Sequence, residues 1–213
     1  MDVIALCLYL VGLAVLFGLR SWMQIRSTGS SGFHGISGRP GSPGWWGGVL
    51  FVVAMVLGLV APALSVAGVI EPPEALTNRV VQLVGLVVAV AGLLATLGAQ
   101  SGMGSSWRIG VDENERTGLV TGGLFAYVRN PIFTFMGAAQ IGILLVVPTW
   151  VSLLAVVALV VAVELQVRAV EEPYLTRTHG QAYLRYASRT GRFVPGLGKL
   201  GAGERSKTTK NSP

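Results

Sequence analysis

Five stretches of this chain stay apolar for about the length of a membrane crossing, and the polar positions gather in the gaps between them. The runs fall at about 3–19, 47–70, 80–99, 131–147 and 150–167. A helix needs roughly 20 apolar residues to cross about 30 Å of hydrocarbon. The pattern predicts an all-α integral membrane protein with about five transmembrane helices and a C-terminal helical segment beyond them. Pro148, Thr149 and Trp150 alone separate the last two runs, so those helices form an antiparallel hairpin. "EPPE" at 71–74 reads as a turn, because two prolines cannot continue a helix. The Gly-, Ser- and Pro-rich stretch 27–48 reads as a flexible connection, with Trp45 and Trp46 as interfacial anchors where the second span begins. Residues 1–78 are thus expected to hold two spans and that connection, 79–197 the core, and 198–213 a disordered tail.

Composition agrees. The 213 residues are 52% hydrophobic and 12% charged, where soluble domains carry about 25% charged residues. The first run lacks a basic leader and a small-residue cleavage site, and it reads as a retained anchor.

The net charge of +6 is distributed as a membrane topology, and not as a nucleic-acid surface. Segments 20–46 and 100–130 hold three Lys/Arg each and the stretch after the fifth run holds nine of the chain's 16, leaving only Arg79 on the opposite side. The positive-inside rule then predicts a multi-pass protein of the plasma (inner) membrane, N-terminus outside and C-terminus cytoplasmic. Membrane lipids are expected partners and nucleic acid is not; the oligomeric state stays open. Cys7 is the single cysteine and His34 and His179 the only histidines, so no metal site is expected.

Polar side chains concentrate before the fourth run and after the fifth, and the short hairpin brings these two places together. Glu164, Arg168 and Glu171/Glu172 follow i, i+4, i+7 and i+8 spacing on one helix face. Two readings stand: a structural Glu164–Arg168 pair closing the bundle, or the polar wall of a pocket. Ahead of the fourth run, Asn130 suits the N-cap and Pro131 the first helical position. Arg129 has the wrong sign for the positive end of a helix dipole, unless an anion binds there or its head simply snorkels to water.

These two segments carry a resemblance. "GLVTGGLFAYVRNPIF" is similar to the "LVT-G-Y--VRHP-Y" signature of the isoprenylcysteine carboxyl methyltransferase and phospholipid methyltransferase superfamily. "EEPYLTRTHGQAYLRYASRTGRFVPG" resembles its C-terminal "EE--L---FG--Y--Y-----RF-P" pattern. The likeness covers about residues 98–197 and is that of a divergent, bacterial-type member. It implies an integral membrane methyltransferase using S-adenosyl-L-methionine at the cytoplasmic side. Carried over by position, Thr117, Gly118, Leu119 and Val120 would form the cofactor-contacting loop. Phe125 stands for the family tyrosine, and Arg129, Asn130, Pro131, Ile132 and Phe133 for the "RHP-Y" stretch. Glu171 stands for a cofactor-contacting glutamate, and Arg168, with Glu164, would orient the acceptor. Asn130, Phe125 and Phe133 depart from the usual histidine and two tyrosines, and Thr117 from a frequent histidine.

The resemblance implies methyl transfer to a lipophilic, small thiol or carboxylate acceptor. Two rival expectations are a nicotinamide-dependent membrane reductase of related fold and a non-catalytic membrane scaffold.

Overall fold

The computed structural model describes residues 1–29, 31, 35–36, 38–104 and 118–200. Thr117, His34, Trp107 and most of the tail lie outside the described residues.

Among the described residues, six helices carry the fold. They are α1 (Asp2–Thr28), α2 (Pro43–Val66), α3 (Arg79–Gly102), α4 (Pro131–Val146), α5 (Trp150–His179) and the short α6 (Gln181–Ala187). No strand occurs among the described residues. Helices α1, α2, α3 and α5 are long and apolar enough to cross a membrane. Helix α4, with 16 residues, reaches about 24 Å. It is joined to α5 only through Val147–Thr149, so it returns the chain across the bundle.

Local chemistry sets the helix starts. Ser42 accepts a hydrogen bond from the Trp45 N–H at 3.3 Å, and Pro43 takes the first turn of α2, where its missing N–H costs nothing. That helix therefore begins four residues before the expected position and shortens the flexible connection. Asn78 Oδ1 accepts from Val80 N at 2.8 Å and opens α3. Thr149 caps α5 by accepting from Ser152 N at 3.2 Å.

The up-and-down course is tied at both ends. Ser65 Oγ donates to Asp2 at 2.7 Å, and Gln82 Nε2 to the Val146 carbonyl at 3.2 Å. At the opposite end Arg20 Nη2 donates to the Gly104 carbonyl at 2.9 Å. This end, which collects the start of α4 and the close of α5, is called the site end below.

Small residues let the helices approach closely, as packing in lipid requires. A Cβ on Gly92 of α3 would meet Ala139 N at 2.7 Å and Phe135 O at 2.8 Å, both α4 backbone. Ala54 of α2 packs with Leu159, Val163 and Val167 of α5. The outer faces stay apolar: Val80, Val87 and Leu94, seven residues apart, are each about two-thirds exposed.

Two helices carry π-helical turns, Ala14–Leu19 in α1 and Val167–Glu171 in α5. The second ends two residues before Pro173, which has no N–H to return to the ordinary partner four residues back. The Glu172 N–H instead bonds the Val167 carbonyl, five residues back. Helix α5 so continues past the expected end at 167 to His179. Gly180 then turns the chain into α6 with φ 51° and ψ −127°, a backbone setting that glycine adopts without strain.

Candidate functional site

The segment after α6 folds back onto the start of α4. Arg129 N donates to the Gly191 carbonyl at 2.8 Å and Asn130 N to the Arg192 carbonyl at 3.1 Å, a short parallel pairing around Val128 and Gly191. Thr134 Oγ1 extends it by donating to the Phe193 carbonyl at 2.9 Å.

At the centre stands a buried arginine–glutamate–arginine group. Glu172 Oε1 accepts from Arg129 Nη2 at 2.6 Å and from Arg192 Nε at 2.8 Å, and its Oε2 accepts from Arg192 Nη2 at 3.0 Å. Arg129 also donates to the carbonyls of Ala187 (3.0 Å), Thr190 (2.6 Å) and Gly198 (3.1 Å). Its side chain is 2% exposed and that of Glu172 is 11% exposed. The hydrogen bond from Arg192 to the Glu172 carboxylate holds the Arg192 guanidinium above its ordinary pKa.

This answers the wrong-signed cation. The anion that balances Arg129 is Glu172 of the same chain, so the guanidinium is spoken for by four internal acceptors. Those four acceptors engage the two terminal guanidinium nitrogens, whereas Arg129 Nε is buried with no hydrogen-bond partner among the described residues. Asn130 does occupy the N-cap position of α4, but its side chain makes no cap bond. Its Nδ2 donates to the Arg192 carbonyl at 3.1 Å.

A second tie joins the Gly123–Ala126 3₁₀ turn to α6. Tyr186 donates its hydroxyl proton to the Phe125 carbonyl at 2.6 Å. Burial pushes the Tyr186 phenol up to about 12, with the Arg129 charge opposing the shift. Tyr183, packed edge-on against it with ring centroids 6.3 Å apart, is also raised by burial and by the Glu172 charge.

The remaining expected residues divide. Gly118, Leu119 and Val120 lie outside regular secondary structure ahead of the turn, with Gly118 exposed. Phe125 is buried in the turn, and Pro131 is buried at the start of α4. Phe133 packs edge-on against Phe51 at 6.5 Å, and Ile132 is half-buried beside it. Glu171 is half-buried. Glu164 and Arg168 form an ion pair that stays largely in the open, with side chains 39% and 58% exposed. The π-helical turn between Arg168 and Glu172 parts the expected single face: the former pair is exposed, the latter carboxylate buried.

Arg192, Thr190 and Tyr186 are the functional-end residues that spacing alone did not single out. The signal for Arg192 and Tyr186 was the "RF-P" and second "Y" of the C-terminal pattern, both quoted above without a structural role, whereas Thr190 falls on an unspecified position of it.

The family model described as phospholipid methyltransferase matches residues 80–182, nearly half of the chain. That range contains nearly all of α3, the first motif, the α4–α5 hairpin and Glu164, Glu171 and Glu172, and it ends before Arg192. Neither the curated proteins nor the solved structures contain a match to the chain.

Proposed function

From a chain whose residues 80–182 belong to the phospholipid methyltransferase family of membrane methyltransferases, we propose that its site end transfers a methyl group from S-adenosyl-L-methionine to a lipophilic, small thiol or carboxylate acceptor. The carrying observation is the physical union of the two motif segments through Arg129, Glu172 and Arg192.

The start of α4 fits the methyl donor. The first-turn N–H groups of a helix lack internal partners, and Asn130 turns its amide to Arg192 without capping them. Ile132 and Phe133 therefore offer N–H groups at the positive end of a dipole, suited to the donor's carboxylate. The Gly118–Val120 stretch (with Thr117), Phe125 and Glu171 complete the proposed cofactor residues. Bound there, S-adenosyl-L-methionine supplies a methyl group already activated on a sulfonium, so the protein has only to align an acceptor and keep water out.

The exposed Arg168, paired with Glu164, is the residue proposed to orient the acceptor. A carboxylate acceptor is ionised at neutral pH and needs only positioning. A thiol must lose a proton, and Glu164 or Glu171 is the carboxylate available to take it. The Lys/Arg distribution supports placing this end at the cytoplasm, with the N-terminus outside.

Calorimetry on the purified protein in detergent tests the reading: the methyl donor binds, and a silent titration removes the proposal. Radiolabelled donor added to membranes then identifies the acceptor by whether label enters lipid, protein or a volatile thioether.

A further inference from the structure

The chain that closes over the start of α4 carries an apolar tip. In this strap, residues 191–198, every position from Val194 onward is exposed, as is Lys199 after it. Val194 is 50% and Leu197 65% exposed. Leu197 N donates to the Val194 carbonyl at 3.1 Å across Pro195 and Gly196, and Gly196 has φ 81°. The tip is thus a proline–glycine β-turn with a large apolar side chain at each end. Water commonly satisfies the carbonyls of an exposed loop. Here the carbonyls of Gly191, Arg192, Phe193, Val194, Leu197 and Gly198 all accept from groups of the same chain, at 2.7–3.1 Å. Pro195 has no N–H to satisfy. Such internal pairing is what a backbone needs beside hydrocarbon.

The strap's fastenings set its depth. Helix α4 reaches about 24 Å against about 30 Å of hydrocarbon, so its ends lie at the acyl boundary. Thr134, in the first turn of α4, donates its hydroxyl proton to the Phe193 carbonyl at 2.9 Å. Phe193 itself packs against the cluster of Ala54, Leu159, Val163 and Val167, all within the apolar runs. Val194 is the next residue, and it turns outward. On the far side of the tip, Leu200 N donates to the Ala187 carbonyl at 3.0 Å. That bond sets Lys199 beside the end of α6, where Arg185 and Arg189 are exposed. An apolar tip backed by these three cations matches the boundary between acyl chains and headgroups of an anionic leaflet.

We propose that the strap tip is an interfacial membrane anchor. Val194 and Leu197 enter the acyl–headgroup boundary beside α4, and Lys199, Arg185 and Arg189 lie against anionic lipid headgroups. The anchor does not rest on methyl transfer: a chain that binds no methyl donor places its tip in the same way.

The test uses the full chain in lipid nanodiscs. Cys7→Ala removes the single cysteine, and one nitroxide is attached at Val194→Cys or at Leu197→Cys. In nanodiscs containing anionic lipid, dissolved oxygen relaxes both labels more than a water-soluble nickel chelate does. The same order is expected at Val87→Cys on the exposed apolar side of α3. In purely zwitterionic nanodiscs the nickel accessibility at position 197 rises about two- to fivefold, as loss of the attraction to basic side chains predicts. Nickel relaxation that prevails over oxygen at either position places the tip in water and overturns the proposal. Shielding of both labels from both reagents marks a protein contact and overturns it too, as does equal accessibility in the two lipid compositions. A second measurement leaves the chain unaltered: lipid with a photoactivatable group high in its acyl chain labels the tryptic peptide 193–199. A peptide without label overturns the anchor as well.

Discussion

Arg129 and Glu172 are separated by 43 residues of chain and by 2.6 Å in space. One stands just ahead of α4, the other just past the π-helical turn of α5, and Arg192 closes on the same carboxylate from the returning segment. Removing one partner leaves a buried charge without its counterpart, which costs about 3–5 kcal/mol. Glu172→Ala is therefore expected to lower the melting temperature in detergent by several degrees and to weaken methyl-donor binding with it. Unchanged melting would show that the two arginines find other anions.

The Glu164–Arg168 pair has the opposite profile. Both side chains are more than a third exposed, and such pairs contribute about 0–1 kcal/mol. Arg168→Ala should leave the melting temperature nearly unchanged and methyl-donor affinity intact, yet lower methyl transfer about tenfold or more. Activity equal to the parent protein would return the pair to a structural role.

Alkaline pH should loosen the turn that carries Phe125. The Tyr186 phenol is raised to about 12 in the folded protein, against about 10 in an unfolded chain. A raised folded pKa means that its stabilisation is fully present below about pH 10 and lost as pH climbs through the folded value. A spectrophotometric tyrosinate titration should show a late step whose amplitude Tyr186→Phe lowers, the buried Tyr183 titrating late in both proteins. A titration unaltered by that variant contradicts the burial of the hydroxyl.

Two glycines of α3 should respond in opposite senses. A Cβ on Gly92 would press on α4 backbone, whereas one on Gly98 meets nothing within 4 Å. Gly92→Ala is expected to destabilise by about 1–3 kcal/mol through overpacking. Gly98→Ala should be neutral or stabilising by up to about 1 kcal/mol, through helix propensity. Thermal scans of the two variants side by side check the pair.

The crossings were legible because burial in lipid demands long apolar runs, and length alone locates them. Their ends were less so. Helix α1 runs on to Thr28 and α5 to His179 through polar residues, since a helix does not stop where the hydrocarbon does. The π-helical turn at Val167–Glu171 adds a residue to the spiral without changing composition; Pro173 was its only sequence mark. That added residue is why four charges read as one face became an exposed pair and a buried carboxylate. At Arg129 the sign conflict was visible in the chain, but the balancing anion was a matter of tertiary contact and lay on another helix.

The hydrogen bond from Arg129 to the Gly198 carbonyl bears on how the protein is made. All five apolar runs are synthesised before the residues that close the start of α4. The membrane spans therefore do not depend on the strap that completes the site. A nascent chain stalled after α5 is already a membrane protein, with Arg129 and Glu172 in place but without Arg192 or the 191–198 strap. Stop codons placed before Arg192 should give inserted but inactive protein, whereas one placed after Leu200 spares every contact described for the clamp.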